Sequence, residues 1–231
     1  MANATAVVKK GAVDFAPPFV LKRSTETLAS ETTFYKHAFV GIDETGYYCK
    51  GDDSQSWIFA GIVYGDQGNP VLAACTAGAA RNLDVHRPRF LEVAIASVAV
   101  TDIGKVVYAD DDQTGTLAVG DTTYSNVIGQ VVDVVASGIA LVELAYDGIA
   151  ANRRLGAAKR LAATGAQTIS KYDMGKILFC ANTATLTLTT PAIAGIQTGN
   201  GFTLIKDHTS DTNAITIDPP DSENIDGATT L

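Results

Sequence analysis

Residues 184–190 read Ala-Thr-Leu-Thr-Leu-Thr-Thr and residues 214–218 read Ala-Ile-Thr-Ile-Asp, so apolar and polar side chains change places at every step. Only an extended strand turns successive side chains to opposite faces. These segments therefore read as strands with one face in a core and a hydroxyl-lined face outside. Similar grammar runs through most of the chain. Short apolar or aromatic runs at 38–42, 46–49, 57–64, 71–74, 90–100, 104–109, 116–119, 127–134 and 139–145 are separated by Gly, Asp, Ser, Asn and Pro. Those separators favour turns. Within 127–135 the apolar residues fall on both parities, which implies a strand buried on both sides, in a small barrel or at an interface. The expected fold class is all-β.

Four stretches differ enough to be read as separate parts. Residues 1–37 hold neither helical nor strand period and read as an extended N-terminal arm. Pro17 and Pro18 hold the arm near polyproline II, and Phe15, Phe19, Val20 and Leu21 have no local apolar partner, so another surface has to cover them. A binding partner or the chain's own domain would serve. Residues 38–146 read as one small β-barrel-like domain. Residues 147–167 hold the alanine-rich, basic window with Arg153, Arg154, Lys159 and Arg160, read as a linker whose charges are solvated or touch an acidic neighbour, with a possible short helix weakened by Gly156 and Gly165. Residues 168–231 read as a second β-domain. Its last stretch, 225–231, looks like the start of another strand with no closing feature, so the natural unit is expected to continue beyond it. Such an open edge is expected to be paired or covered, a neighbouring copy being one way.

Charge excludes some partners. With 17 Lys and Arg against 25 Asp and Glu, the net charge of −8 offers no field that would gather phosphate backbones or anionic lipid. Direct nucleic-acid binding is not expected. Neither is a membrane span, because no apolar run approaches the required length, and no signal-peptide stretch follows Lys9 and Lys10. Synthesis in the cytoplasm is expected. Cys49, Cys75 and Cys180 are odd in number and lack Cys-x-x-Cys spacing, so reduced, buried thiols are the expectation.

The search for chemistry finds no catalytic, metal or cofactor-binding set. No nucleophile elbow accompanies His37, His86 and His208, and no phosphate-cradling glycine motif follows a strand. Asp110, Asp112, Thr114 and Asp121 have the spacing of calcium-loop ligands with Gly115 between. The loop lacks the final Glu and the flanking helices, however, so it reads as an acidic hairpin turn. Asp43, Glu44, Asp52 and Asp53 read as turn residues as well. Trp57, between Ser56 and the apolar Ile58 and Phe59, reads as core rather than as a sugar-stacking platform.

Four segments carry a resemblance: Gly-Lys-Val-Val-Tyr-Ala-Asp at 104–110, Gly-Asp-Thr-Thr-Tyr at 120–124, Ile-Gly-Gln-Val-Val at 128–132 and Ala-Leu-Val-Glu-Leu at 140–144. Together they resemble the head decoration, or cement, proteins of tailed bacteriophages, with Ala109 standing where that family usually has Trp or Asp. The segment 171–231 is similar to β-modules of phage fibre and virion-surface proteins. The resemblance implies a non-enzymatic virion protein on the outer capsid surface, whose partner is the major capsid protein and whose second β-domain projects outward. It also implies a homotrimer, as is common in that family. Phe15, Pro17, Pro18, Phe19 and Val20 are then the candidate capsid-binding residues. A fibre or adhesin subunit whose Thr-rich face takes host-surface glycan is the competing expectation.

Overall fold

The computed structural model describes residues 26–27, 33–63, 80–81, 85–192, 200–206 and 213–220. The described structure is all-β apart from one short helix and three single 3-10 turns. Two compact units divide the chain, 1–151 and 152–231.

In the first unit, β1 (Glu26–Thr27) precedes the first sheet, which begins with β2 (Phe39–Asp43), β3 (Tyr48–Lys50) and β4 (Trp57–Val63). β5 (Ala80–Arg81) pairs antiparallel with β1. With β6 (Val85–His86), the first sheet is complete in the antiparallel order β3-β2-β4-β6. Both of its faces are buried. Phe39, Trp57, Phe59 and Ile62 enter one core cluster, while Val40, Ala60, Val63 and Val85 join Phe34 and Tyr48 in another. A strand with strict alternation would send Phe59 and Ile62 to opposite faces. Register shifts between Val40 and Gly41 opposite β4, together with the positive φ of Gly61, put both on the same side.

The remaining strands of this unit are β7 (Phe90–Ile95), β8 (Val106–Ala109), β9 (Thr114–Thr116), β10 (Val127–Ala136) and β11 (Ile139–Leu144). They close into a five-stranded barrel in the order β10-β11-β7-β9-β8. All contacts are antiparallel except β7 with β9, whose parallel pairing of Ala94 with Thr114 and Ile95 with Gly115 completes the ring. Leu91, Val93, Ile95, Val107, Ile128, Val131 and Val142 fill it and share one continuous core with Trp57 and Phe59. As the parity of its apolar residues implies, the first half of β10 is buried on both faces, whereas its second half runs out into solvent. Gly129 is required there, because a Cβ would collide with the backbone oxygen of Glu143 on β11.

Helix α1 (Ile149–Leu155) ends at Gly156, whose φ of +65° stops the helix as a left-handed glycine does. The second unit then winds through β12 (Ala158–Arg160), β13 (Gly165–Thr168), β14 (Ile177–Cys180), β15 (Leu186–Thr189), β16 (Thr203–Lys206) and β17 (Ile215–Asp218). Alternate strands stack. β12, β14 and β16 form one parallel sheet, and β13, β15 and β17 form the other. Each turn of chain therefore adds one strand to each sheet, which is the construction of a β-solenoid. Leu178, Cys180, Leu186 and Leu188 point into its core. The window 147–167 holds a helix, β12 and most of β13, and Lys159, expected in solvent or against an acidic neighbour, is buried on β12.

Candidate functional site

The acidic turn expected between two strands joins β8 to β9. Its carboxylates mostly serve the backbone. Asp111 Oδ1 accepts the N–H groups of Gln113 and Thr114 at 2.7 and 2.6 Å, which folds the turn. Asp112 is buried and lies 3.3 Å from Lys50 Nζ. Asp53 reaches from the first sheet's loop to accept the backbone N–H groups of Thr123 and Tyr124, tying together segments about 70 residues apart. Burial, then the charges of Asp111, Asp121 and Asp53, raise the pKa of Asp110. Among the described residues, no three His, Cys, Asp or Glu side chains gather into a metal cage.

One end of the barrel presents an apolar surface. Ile95 donates its N–H to Gly138 O at 3.0 Å, and Gly104 donates to Val131 O at 2.8 Å, which brings the 3-10 turn Val100–Asp102 beside the β10–β11 hairpin. Val100, Ile103 and Val135 are all exposed in this region, Val100 at 71%. No sequence reading singled them out. The only trace was the apolar run 127–135, which continues past the point where burial ends.

The other candidates are structural or lie elsewhere. Trp57 is buried, donates from Nε1 to Asp52 O at 2.6 Å and from its backbone to Asn126 Oδ1 at 3.1 Å, and packs against Gly41, where a Cβ would stand 2.6 Å from the indole. Burial, then the charge of Lys36, lowers the pKa of His37. His86 sits on β6 opposite Ile62. Cys49 and Cys180 are buried free thiols, and burial pushes Cys49 up to about 12, so neither is set up as a nucleophile. Cys75 and His208 lie outside the described residues, as do Phe15, Pro17, Pro18, Phe19 and Val20.

In the second unit the two sheets present different outer faces. The sheet β13-β15-β17 sets Thr187 opposite Thr216 and Thr189 opposite Asp218, a hydroxyl ladder in register. The sheet β12-β14-β16 instead lines up Arg160, Phe179 and Ile205, the last two 43% and 41% exposed. Inside, Asp173 is fully buried between two ammonium groups. Oδ2 accepts from Lys159 Nζ at 2.8 Å and Oδ1 from Lys176 Nζ at 3.0 Å, and the Ser170 N–H adds a third bond at 3.0 Å. Burial opposes the carboxylate, but Lys176 and Lys159 outweigh it and hold its pKa below the usual value. Sequence alternation held no sign of this cluster.

No protein-family model matches the sequence, and no curated protein sequence matches it. Among solved structures, the chain is similar to a chain of the capsid of Myoviridae phage XM1, at 17% identity and a TM-score of 0.40. The match covers 62% of this chain and 91% of that one.

Proposed function

We propose that this chain is a structural, non-enzymatic virion protein that binds the outer surface of a tailed-phage capsid and bridges neighbouring capsomers. One observation carries the reading. The four segments that resemble cement proteins fall on or between strands of a single closed barrel: 104–110 on β8 and its turn, 120–124 on the approach to β10, 128–132 on β10 and 140–144 on β11. Val107, Ile128 and Val142 from three of them meet in one core.

In this reading the arm residues Phe15, Pro17, Pro18, Phe19 and Val20 dock on the major capsid protein. Burial of each large apolar side chain contributes about 1.5–3 kcal/mol, and a partner that binds only the assembled lattice stabilises it by mass action. The exposed barrel end at Val100, Ile103 and Val135 offers a second apolar contact. Three copies around a lattice three-fold would multiply each contact.

The test is the copy number of this chain per major capsid protein in purified particles, measured by quantitative mass spectrometry. A ratio on the order of one supports cementing, because such a protein covers the lattice. A few copies per particle would move the chain to a fibre or tail, and its absence from particles would end the proposal. The fibre or adhesin reading is favoured by the in-register Thr187–Thr216 pair. Glycan-array binding that is lost in a Thr187→Val, Thr216→Val double variant would support it.

A further inference from the structure

Arg87, in the loop between β6 and β7, is an exposed cation that is held in place without being neutralised. Its Nε donates to Ala60 O on β4 at 2.8 Å, and its guanidinium carbon stands 5.4 Å from the centre of the Tyr146 ring. The ring is itself fixed. Tyr146 donates from its hydroxyl to Pro88 O at 2.6 Å and stacks with Phe59 at 5.3 Å between centroids, so the guanidinium rests on a platform that continues into the barrel core.

The other cations show what sets this one apart. Lys50 meets Asp52 and Asp112, Arg89 meets Glu143, Lys105 meets Asp102, and Lys159 and Lys176 meet Asp173. Among the described residues, no carboxylate lies within ion-pair distance of Arg87. The single bond from Nε leaves both Nη groups without a protein acceptor among those residues. A mobile arginine has to give up rotamer freedom before it can grip a ligand. Here the Ala60 carbonyl and the Tyr146 ring have already fixed the side chain, with the free end of its fork exposed.

The neighbours narrow the ligand. Arg89 stands 5.0 Å from the Phe90 ring and pairs with Glu143 at 3.0 Å, so its charge is answered and Arg87 carries the unbalanced charge of the group. Tyr146 and Phe90 each hold a guanidinium, and stacking a sugar or a base on either ring would displace a cation–π contact. A planar guanidinium with free Nη groups fits a carboxylate, which it takes through two parallel N–H···O bonds. One unbalanced positive charge matches one carboxylate, whereas a phosphate brings nearly twice that charge. Arginine and tyrosine are also residue types that concentrate at the energetic centres of protein interfaces.

We propose that Arg87 recognises an aspartate or glutamate side chain of a protein partner, with the Arg89–Glu143 pair as the neutral border of the contact. The proposal does not depend on the virion reading, since it rests on the setting of one guanidinium.

Titration of the full chain with the capped pentapeptide Ala-Val-Glu-Val-Ala, followed by NMR of the Arg87 Nε–H resonance, tests it. A saturable shift is expected, with a Kd on the order of 1 mM that weakens with added salt. Replacing the peptide's Glu by Gln should weaken binding about tenfold, as should Arg87→Gln in the protein. Arg87→Lys keeps the charge and loses the fork, and should weaken binding several-fold with the Trp57 unfolding transition unmoved. No saturable shift, equal affinity for the Glu and Gln peptides, or full affinity in Arg87→Lys overturns the proposal. Sialyllactose or inorganic phosphate binding more tightly than the Glu peptide also overturns it, and gives the guanidinium to a glycan or a phosphate instead.

Discussion

Replacing Asp173 by Asn keeps the side chain's shape and removes its charge. Lys159 and Lys176, 7% and 2% exposed, then face each other across a neutral amide in the core of the second unit. Breaking a buried ion pair by removing one partner costs about 3–5 kcal/mol, because the remaining charge stays buried without compensation. A unit of about 80 residues holds roughly 4–12 kcal/mol of stability in all. The substitution therefore removes a large share of it, and the loss should be confined to one unit. Each unit carries its own probes. Trp57, the only tryptophan, and Cys49 lie in the first, and Cys180 lies in the second. In a Cys75→Ser background, Asp173→Asn should make Cys180 react with a thiol reagent at denaturant concentrations where Cys49 stays protected and Trp57 fluorescence is unchanged. Replacing Asp173, Lys159 and Lys176 together by Leu should recover most of the loss. A destabilisation below about 1 kcal/mol, or one that moves the Trp57 transition equally, would refute the reasoning. The pH dependence has a definite sign. The folded pKa of Asp173 lies below its unfolded value near 3.9, so the unfolded state binds the proton more readily. The carboxylate's contribution is complete above about pH 5 and is lost as pH falls through 3.9 toward the folded pKa.

Four further outcomes are expected. Gly129→Ala drives a methyl group into the Glu143 backbone and should cost about 1–3 kcal/mol or more, read by denaturation of the first unit through Trp57 fluorescence. Phe34→Ala empties a fully buried site in the second cluster of that unit and should cost about 3–5 kcal/mol in the same assay. A truncation meant to test arm docking therefore has to stop short of Phe34; removal of residues 1–25 should abolish capsid binding with the Trp57 transition unmoved. Asp53→Ala leaves the N–H groups of Thr123 and Tyr124 without their acceptor and should cost about 1–3 kcal/mol, with faster hydrogen exchange at those two amides.

Much of the local structure was legible. Turn residues between short apolar runs announced an all-β chain, and the Leu-Thr alternation assigned Leu186 and Leu188 to a core that buries both completely. The turn chemistry of Asp111 was readable because an Asp side chain bonds to its own next backbone groups, whatever the fold around it. The candidate surfaces were less legible. Val100, Ile103 and Val135 belong to one region only because the 3-10 turn after β7 and the β10–β11 hairpin are bonded together, and nothing in their spacing encodes that proximity. Lys159 looked like one charge among four in a basic window, because the anion that buries it stands 14 residues away in a turn.

What the sequence by itself determined is that the chain is built of strands and, where the alternation is clear as in 186–189, which way their side chains face, since the period of two is set by the backbone of a single segment. What only the tertiary structure decided is which strand pairs with which. Every strand offers the same row of N–H and C=O groups, so pairing is chosen by long-range burial rather than by local pattern. The two β-rich halves of this chain share one grammar of short strands and turns. The first pairs its strands mostly antiparallel and closes five of them into a barrel, while the second stacks its strands in parallel as two sheets of a solenoid.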